Sequence, residues 1–389
     1  MVASSSSQEQ RQLPMLDMAQ YRTDPDEFVE RLRHACHTVG FFTLRHDYLL
    51  LSSTDILDNC RTFFSRPLEE KLTIDYNDNP SFRGYMPMGV ENTAGNIDHR
   101  EQIEYAVEYP SYIHSKDDKR WWPAYHRLKG HANPWPDTIQ PTFRRSTMDY
   151  VKHVTDIANT LVEALCRALQ LDPTTTLSDM FLPDDNDDEV PHWVIKLIAY
   201  PHSSHQRQGV GAHTDTSFLT LVLQDGIHGG LEVFSHGEWI PIPPDPSVLV
   251  VNLGESAEIW SRGYFLATPH RVMLRPSESS STDSSSPSRL SVALFYNPKL
   301  SSKIEPLSIL PDSVPWERPD NDHWRRGDLF LPTVGDNTIK SLARSHPIVF
   351  RRHHPDLCSL PDGRIVRRSS DDGDEESKGE DKTRNGYGS

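Results

Sequence analysis

Three features of the sequence predict an α+β fold, with helices gathered in the amino-terminal part and a β-sandwich or jelly roll after them. Before about residue 180 the apolar residues recur at helical spacing. Beyond the acidic stretch Asp184 to Glu189 they fall instead into short runs of strand length. No helix-length run separates those strands, as βαβ units would require.

The ordered part begins with a short strand at Leu13 to Asp17, after a Ser/Gln-rich start that has nothing to pack. A helix is predicted from Asp26 to Val39, where Leu32, Ala35, Cys36 and Val39 share one face, and Gly40 to Leu44 then reads as a strand. Pro67 followed by Glu69 and Glu70 marks a helix start, because proline tolerates the first turn and carboxylates favour the positive end of the helix dipole. The clearest helix runs from about Arg144 to Leu171. Met148, Val151, Val154, Ile157, Ala158, Leu161, Leu165, Ala168 and Leu169 form its apolar stripe, the mark of a long scaffold helix. Strands follow at Val194 to Tyr200, Phe218 to Leu223, Leu231 to Phe234, Val248 to Leu253, Arg271 to Leu274 and Leu290 to Tyr296. The expected organisation is a disordered start (1–12), a helical region packing on the core (13–180), a jelly-roll core (190–350) with a Ser-rich insertion (277–288), and a disordered acidic tail (369–389).

Of the 389 residues, 36% are hydrophobic, with 14 Phe, 13 Tyr and 8 Trp, which is enough for a sizeable core. The net charge of −16 and the absence of a basic stripe argue against a nucleic-acid partner. No apolar run is long enough to span a bilayer. Cys36, Cys60, Cys166 and Cys358 form no CxxC pair and read as buried, reduced thiols, so a cytoplasmic protein acting on a small molecule is expected.

The chemistry concentrates in the carboxy-terminal half. His213 and Asp215 are two residues apart, so in a strand they share a face and offer two corners of a metal site. His270, at the start of a later strand, is the candidate third ligand, since two antiparallel crossings could return it to the same place. Two imidazoles and one carboxylate leave coordination positions open, as iron(II) oxygen chemistry requires. Arg289 and Ser291 also share one strand face, and a guanidinium with a hydroxyl suits a dicarboxylate's far end.

These blocks together resemble the 2-oxoglutarate and iron(II)-dependent dioxygenase superfamily, in particular the branch that includes isopenicillin N synthase and the plant flavonoid and gibberellin oxygenases. The resemblance covers about residues 12 to 350. It rests on Gly211–Val222 (GAHTDTSFLTLV), Gly229–Val233 (GGLEV), Val251–Gly254 (VNLG), Thr268–Val272 (TPHRV) and Arg289–Pro298 (RLSVALFYNP). Weaker blocks precede them at Ala35 to Phe42, Phe63 to Lys71 and Arg83 to Tyr85. It implies a double-stranded β-helix core, iron(II) on His213, Asp215 and His270, and 2-oxoglutarate on Arg289, Ser291 and Tyr200. The implied reaction consumes O2, releases succinate and CO2, and hydroxylates, desaturates or cyclises a specialised metabolite. Ile198 stands where the family usually carries Asn, and the stretch from His270 to Arg289 is longer than usual.

Phe218, Trp260, Phe265 and Phe295 are candidate pocket walls, Phe295 through its even spacing from Arg289 and Ser291; they suggest a largely apolar substrate. Lys196, evenly spaced from Tyr200, could meet an acidic substrate, but an outward, solvated lysine is the stronger expectation. His192, His202, His205, His228 and His236 are expected at the surface or in turns, and Asp184 to Glu189 as a solvated loop without calcium-loop spacing. Two rival functions remain: an isopenicillin N synthase-type oxidase that needs no 2-oxoglutarate, and a silent binding protein on the same scaffold.

Overall fold

The computed structural model describes residues 12–46, 49–93, 95–109, 122–182, 189–201, 205–227, 229–275, 288–308 and 330–368. The expected loose ends, the Ser-rich insertion and residues 184–188 lie outside these, apart from Gln12 and Ser288, as do His202 and His228. No helix among the described residues is long and apolar enough to cross a membrane.

Strands β1 (Met15–Asp17), β2 (Phe41–Arg45), β3 (Gly84–Met86), β4 (Asn92–Thr93), β5 (Asn96–Ile97) and β6 (Glu101–Ala106) come from the first part of the chain. The core adds β7 (His192–Tyr200), β8 (Arg207–His213), β9 (Leu219–Gln224), β10 (Leu231–Ser235), β11 (Glu238–Pro241), β12 (Val248–Leu253), β13 (His270–Leu274) and β14 (Arg289–Asn297). A hairpin, β15 (Leu357–Ser359) and β16 (Ile365–Arg367), follows. Eight strands form one sheet in the order β1-β2-β12-β9-β14-β7-β6-β3, and four form a second in the order β11-β10-β13-β8. This is the α+β jelly roll the sequence predicts.

Alternation divides the large sheet into two faces. On β14, Leu290, Val292, Leu294 and Tyr296 join the hydrophobic core, as do Ile195, Leu197 and Ala199 on β7 and Leu219, Leu221 and Leu223 on β9. The helix Phe143–Ala168 covers this face, burying Val151, Val154, Ala158, Leu161 and Leu165, and it also packs on the helices Pro25–Thr38 and Leu49–Phe64. The opposite residues of the same strands are left for the site.

Three expectations change. The amino-terminal region holds more strand than the expected β1 and β2, because β3 and β6 also join the large sheet and β6 pairs with β7 from Glu101↔Ala199 to Ala106↔Val194. Glu101, Gln102 and Glu104 hid this strand from a reading based on apolar runs. The fold also continues past residue 350: Leu357 and Ile365 of the hairpin are buried in a cluster with Tyr125, Ala343 and Phe350. Cys36, Cys60 and Cys166 are buried, but Cys358 is half-buried in β15.

His354 closes that cluster, buried and 2.8 Å through Nε2 from the Pro80 carbonyl. Burial pushes its pKa down from 6.5 to about 4. Between those values the unfolded chain takes up a proton that the folded chain refuses, so stability falls as pH drops through that window and levels off below it. At about 1.36 kcal/mol per pKa unit, the contribution approaches about 2 kcal/mol by pH 5. Urea unfolding at pH 7 and pH 5 should therefore show His354→Gln losing less stability on acidification than wild type; equal losses would exclude His354 as a source of the acid sensitivity.

Candidate metal centre

His213 closes β8 and His270 opens β13, and the two are direct cross-strand partners. Their rings lie 4.4 Å apart between centroids. Asp215 sits just beyond the end of β8 rather than within it, so the shared-strand-face argument does not place it; a loop does. That loop is held by the chain after β12: Glu255 N–H donates to the Asp215 carbonyl at 2.8 Å, Ser256 Oγ to the Thr216 carbonyl at 2.7 Å, and Thr214 Oγ1 to Glu255 Oε1 at 2.5 Å.

The outcome is one carboxylate oxygen facing two imidazoles. Asp215 Oδ1 lies 3.6 Å from His213 Nε2 and 3.7 Å from His270 Nε2. Its other oxygen, Oδ2, is occupied, accepting from Thr220 Oγ1 at 2.7 Å and Asn252 Nδ2 at 2.8 Å. The His213 and His270 Nδ1 atoms lie 2.8 and 3.2 Å from the carbonyls of Gly211 and Thr268. An Nδ1–H donated to each carbonyl leaves the Nε2 lone pairs turned inward, the tautomer a metal ligand needs. Ligand atoms of all three residues lie within 4.8 Å of one another. Burial alone would raise the Asp215 pKa, but His270, His213 and the Asn252 hydrogen bond outweigh it and hold the carboxyl well below its usual range. Burial pushes His270 down to about 4, against the pull of Asp215. An ionised carboxylate beside two imidazoles whose Nε2 atoms turn inward is a donor set for a divalent cation.

A cavity of about 720 Å³ opens beside the triad, floored by the inner face of β7 and β14. Arg289 stands opposite Tyr200, Ser291 opposite Ile198, and Ala293 opposite Lys196. Arg289 is buried with its guanidinium carbon 4.7 Å from the Tyr200 ring centre, and it donates through Nη2 to Gln224 Oε1 at 3.2 Å. Its Nε and Nη1 atoms are buried without an acceptor. A buried guanidinium with unmet donors is strained electrostatically until a carboxylate reaches it. The residues present thus fit a divalent metal on one side of the cavity and a dicarboxylate on the other.

The same alternation brings Phe295 to the cavity, whereas Phe218, Trp260 and Phe265 are core residues. Phe218 precedes β9, so strand alternation does not hold it on the Thr220 side; its ring packs 5.3 Å from Phe181 and 5.4 Å from Trp260. Trp260 ends the helix Glu255–Trp260 facing inward, and Phe265 packs 5.5 Å from Tyr264. Two outward assignments also fail. His192 is buried on the cavity, 2.9 Å from the Tyr109 hydroxyl, and burial with Arg83 and Lys129 nearby pushes its pKa down to about 3. Lys196 lines the cavity beside Glu104. Both continue the even spacing from Tyr200 along β7, the signal that could have found them. Glu91, Arg100 and the helix Val334–Ser345 also reach the cavity and carried no motif.

Comparisons with known proteins agree with this geometry. Residues 191–298 match the model of the 2OG-Fe(II) oxygenase superfamily, and residues 13–138 match the amino-terminal model of non-haem dioxygenases in morphine synthesis. A 2-oxoglutarate-dependent dioxygenase of Dothideomycetidae sp. is 30% identical, over 87% of this chain and 90% of that one. A homoarginine-6-hydroxylase of Arabidopsis thaliana is 30% identical over 78% of this chain and 82% of its own. Among solved structures, a Caulobacter crescentus 2OG-Fe(II) oxygenase family protein superposes with a TM-score of 0.65 at 23% identity, covering 85% of this chain and 98% of that one. A Neurospora crassa protein solved with alpha-KG and thymine gives 0.63 at 22%, covering 86% and 97%.

Gly254 is the tightest point of the Asp215 support: a Cβ there would lie 2.1 Å from the Ser217 carbonyl oxygen and 2.7 Å from that of Asp215. Gly254→Ala must therefore shift the backbone of the 215–217 loop or of residue 254 itself. The expected loss is about 1–3 kcal/mol of stability, in the range of overpacking, read as a lower urea midpoint; an unchanged midpoint would mean the loop yields freely and does not fix Asp215.

Proposed function

The chain belongs to the 2OG-Fe(II) oxygenase superfamily, and we propose that His213, Asp215 and His270 hold its iron(II) while Arg289, Ser291 and Tyr200 hold 2-oxoglutarate. It is a 2-oxoglutarate-dependent dioxygenase, an oxidoreductase that uses iron(II), 2-oxoglutarate and O2. When bound, the iron and co-substrate supply the chemistry that couples oxidative decarboxylation of 2-oxoglutarate, to succinate and CO2, to oxidation of a substrate C–H bond.

The chain's own residues do the positioning. The Gly211 and Thr268 carbonyls fix the two imidazole tautomers, and Thr220 with Asn252 occupies Asp215 Oδ2 so that Oδ1 remains for the metal. Arg289 receives the 5-carboxylate of 2-oxoglutarate, with the Ser291 hydroxyl beside it on the same strand face. The observation that carries this reading is the pair of buried, acceptor-less nitrogens of Arg289 on the cavity that the His-Asp-His triad also lines. Ile198, opposite Ser291, adds an apolar wall where the family usually has an amide. The substrate is a small specialised metabolite that the enzyme hydroxylates, desaturates or cyclises. Relatives named for homoarginine 6-hydroxylation support a small-molecule substrate.

The test is an anaerobic titration of the iron-loaded protein with 2-oxoglutarate, following the visible charge-transfer band of keto-acid chelation. Truncating one partner of a buried guanidinium–carboxylate contact costs roughly 2–5 kcal/mol. Arg289→Ala should therefore weaken 2-oxoglutarate binding at least about tenfold, at about 1.4 kcal/mol per decade, with iron affinity nearly unchanged. Equal affinity in the variant would remove Arg289 from the co-substrate site. Absence of the band in wild type, with O2 consumed regardless, would favour the oxidase chemistry of isopenicillin N synthase.

A further inference from the structure

The far end of the cavity is built from charge. Glu104 on β6 and Lys196 on β7 are direct cross-strand partners, and both line the cavity. Their Oε2 and Nζ atoms lie 3.1 Å apart, yet Glu104 Oε2 has no hydrogen bond that satisfies it. Glu104 is only 6% exposed. Lys196 keeps 23% of its side chain accessible, on the cavity it lines, with Phe295 as its other neighbour at 5.7 Å. Burial works against the Lys196 ammonium, but Glu104 and Glu91 outweigh it and keep it charged.

Arg100 reaches the same end, 8% exposed, with Nη2 3.3 Å from Asp98 and 3.4 Å from Glu91. Its Nε is buried without an acceptor. Glu91, by contrast, is engaged on several sides, by Arg100, Gln102 and His346. What this end of the cavity offers is therefore specific: a Glu104–Lys196 ion pair that faces the cavity, with no hydrogen bond closed at Glu104 Oε2, and beside it the Nε of Arg100 without an acceptor. A carboxylate alone would leave Glu104 Oε2 without a hydrogen bond, and an amine alone would leave Arg100 Nε without an acceptor. Buried polar groups left unpaired are penalised heavily, so a ligand that meets only one of these needs binds weakly.

We infer that the Lys196–Glu104–Arg100 end of the cavity is a substrate subsite for a zwitterion of the free α-amino-acid type, its carboxylate on Lys196 and Arg100 and its ammonium on Glu104. This rests on the co-substrate reading above, because it assumes that 2-oxoglutarate fills the Arg289 end. Along β7, Lys196 is four residues from Tyr200, roughly 13 Å at about 3.3 Å per residue, far enough for both ligands to bind at once. The apolar Ile198 and Ala293 lie between the two polar ends. The ligand class is thus more polar than the aromatic residues in the sequence suggest.

The experiment uses the iron(II)-loaded full chain with 2-oxoglutarate. Free L-amino acids, including L-arginine, L-lysine, L-ornithine and L-homoarginine, are screened for stimulation of 2-oxoglutarate consumption and, anaerobically, for binding by calorimetry. Each stimulating amino acid is then tested again as its decarboxylated amine and as its Nα-acetyl derivative. At least one free amino acid should stimulate, and loss of either charge should raise its KM by about tenfold or more. Glu104→Gln and Lys196→Met should raise that KM by a similar factor while 2-oxoglutarate affinity changes less than about twofold. No stimulation or binding by any amino acid, with the 2-oxoglutarate charge-transfer band intact, overturns the subsite and leaves the co-substrate reading standing. Derivatives that bind as well as the parent amino acid overturn it equally, and that comparison needs no variant to fold. Loss of the band itself would instead count against the co-substrate reading.

Discussion

Slipping β14 by one residue against β7 would exchange every side chain of the strand between its two faces. Leu290, Val292 and Leu294 would enter the cavity, and Arg289, Ser291 and Ala293 would turn towards the helix Phe143–Ala168. Burying each such aliphatic side chain is worth roughly 1.5–3 kcal/mol, and a guanidinium pressed into an apolar core carries a penalty of its own. The register is therefore set by the core, through the pairs Arg289↔Tyr200, Ser291↔Ile198 and Ala293↔Lys196. The co-substrate end, the cavity floor and the charged end all depend on that one alignment. The scaffold helix matters to function for the same reason, although it touches no part of the triad.

The triad depends on a second alignment, in the smaller sheet. The His213↔His270 pairing brings two imidazoles together at the end of the β8–β13 ladder, where a register shift follows His270. The carboxylate cannot come from the same ladder, because the strand has already ended. It is brought in by a loop whose backbone is bonded to the start of the Glu255–Trp260 helix. Each of the three groups is thus held by the backbone of a different element. This is what turns one carboxylate oxygen and two Nε2 atoms towards a common point, since the surrounding carbonyls and amides, rather than solvent, orient the three groups.

Much of this was legible in the sequence, unevenly. The scaffold helix was plain because its apolar stripe runs through many turns, and β12 was plain because it is short, apolar and bounded by turns. His213, Asp215, His270 and Arg289 were visible through residue type and order, although the reason for Asp215 was wrong: a strand face was expected where a loop does the work. β6 was invisible because Glu101, Gln102 and Glu104 break the apolar run. Lys196 and His192 were misplaced by a sound general rule, that lysine and histidine favour solvent, overriding the period-two spacing that correctly located Phe295. Phe218, Trp260 and Phe265 failed in the opposite sense, since an aromatic near a ligand motif is as well suited to the core, and only packing decides between them.

The charged end of the cavity changes what kind of selectivity the enzyme can have. A wall of aliphatic and aromatic groups separates substrates by a methylene or two, worth roughly 1–3 kcal/mol, and tolerates isosteres. A wall with buried, unmatched donors and acceptors discriminates differently: any ligand lacking the partner leaves those groups dry and unpaired, and rejection by several orders of magnitude follows. Glu104 and Lys196 offset their desolvation through each other, and Arg100 through Asp98 and Glu91, but Glu104 Oε2 and Arg100 Nε stay without a hydrogen bond. The protein tolerates that deficit beside a cavity, where a ligand can relieve it, as it tolerates the unmet donors of Arg289 at the other end. Both ends of the cavity therefore work on one principle, a buried polar group kept short of a partner by the fold, with apolar Ile198 and Ala293 separating the two demands.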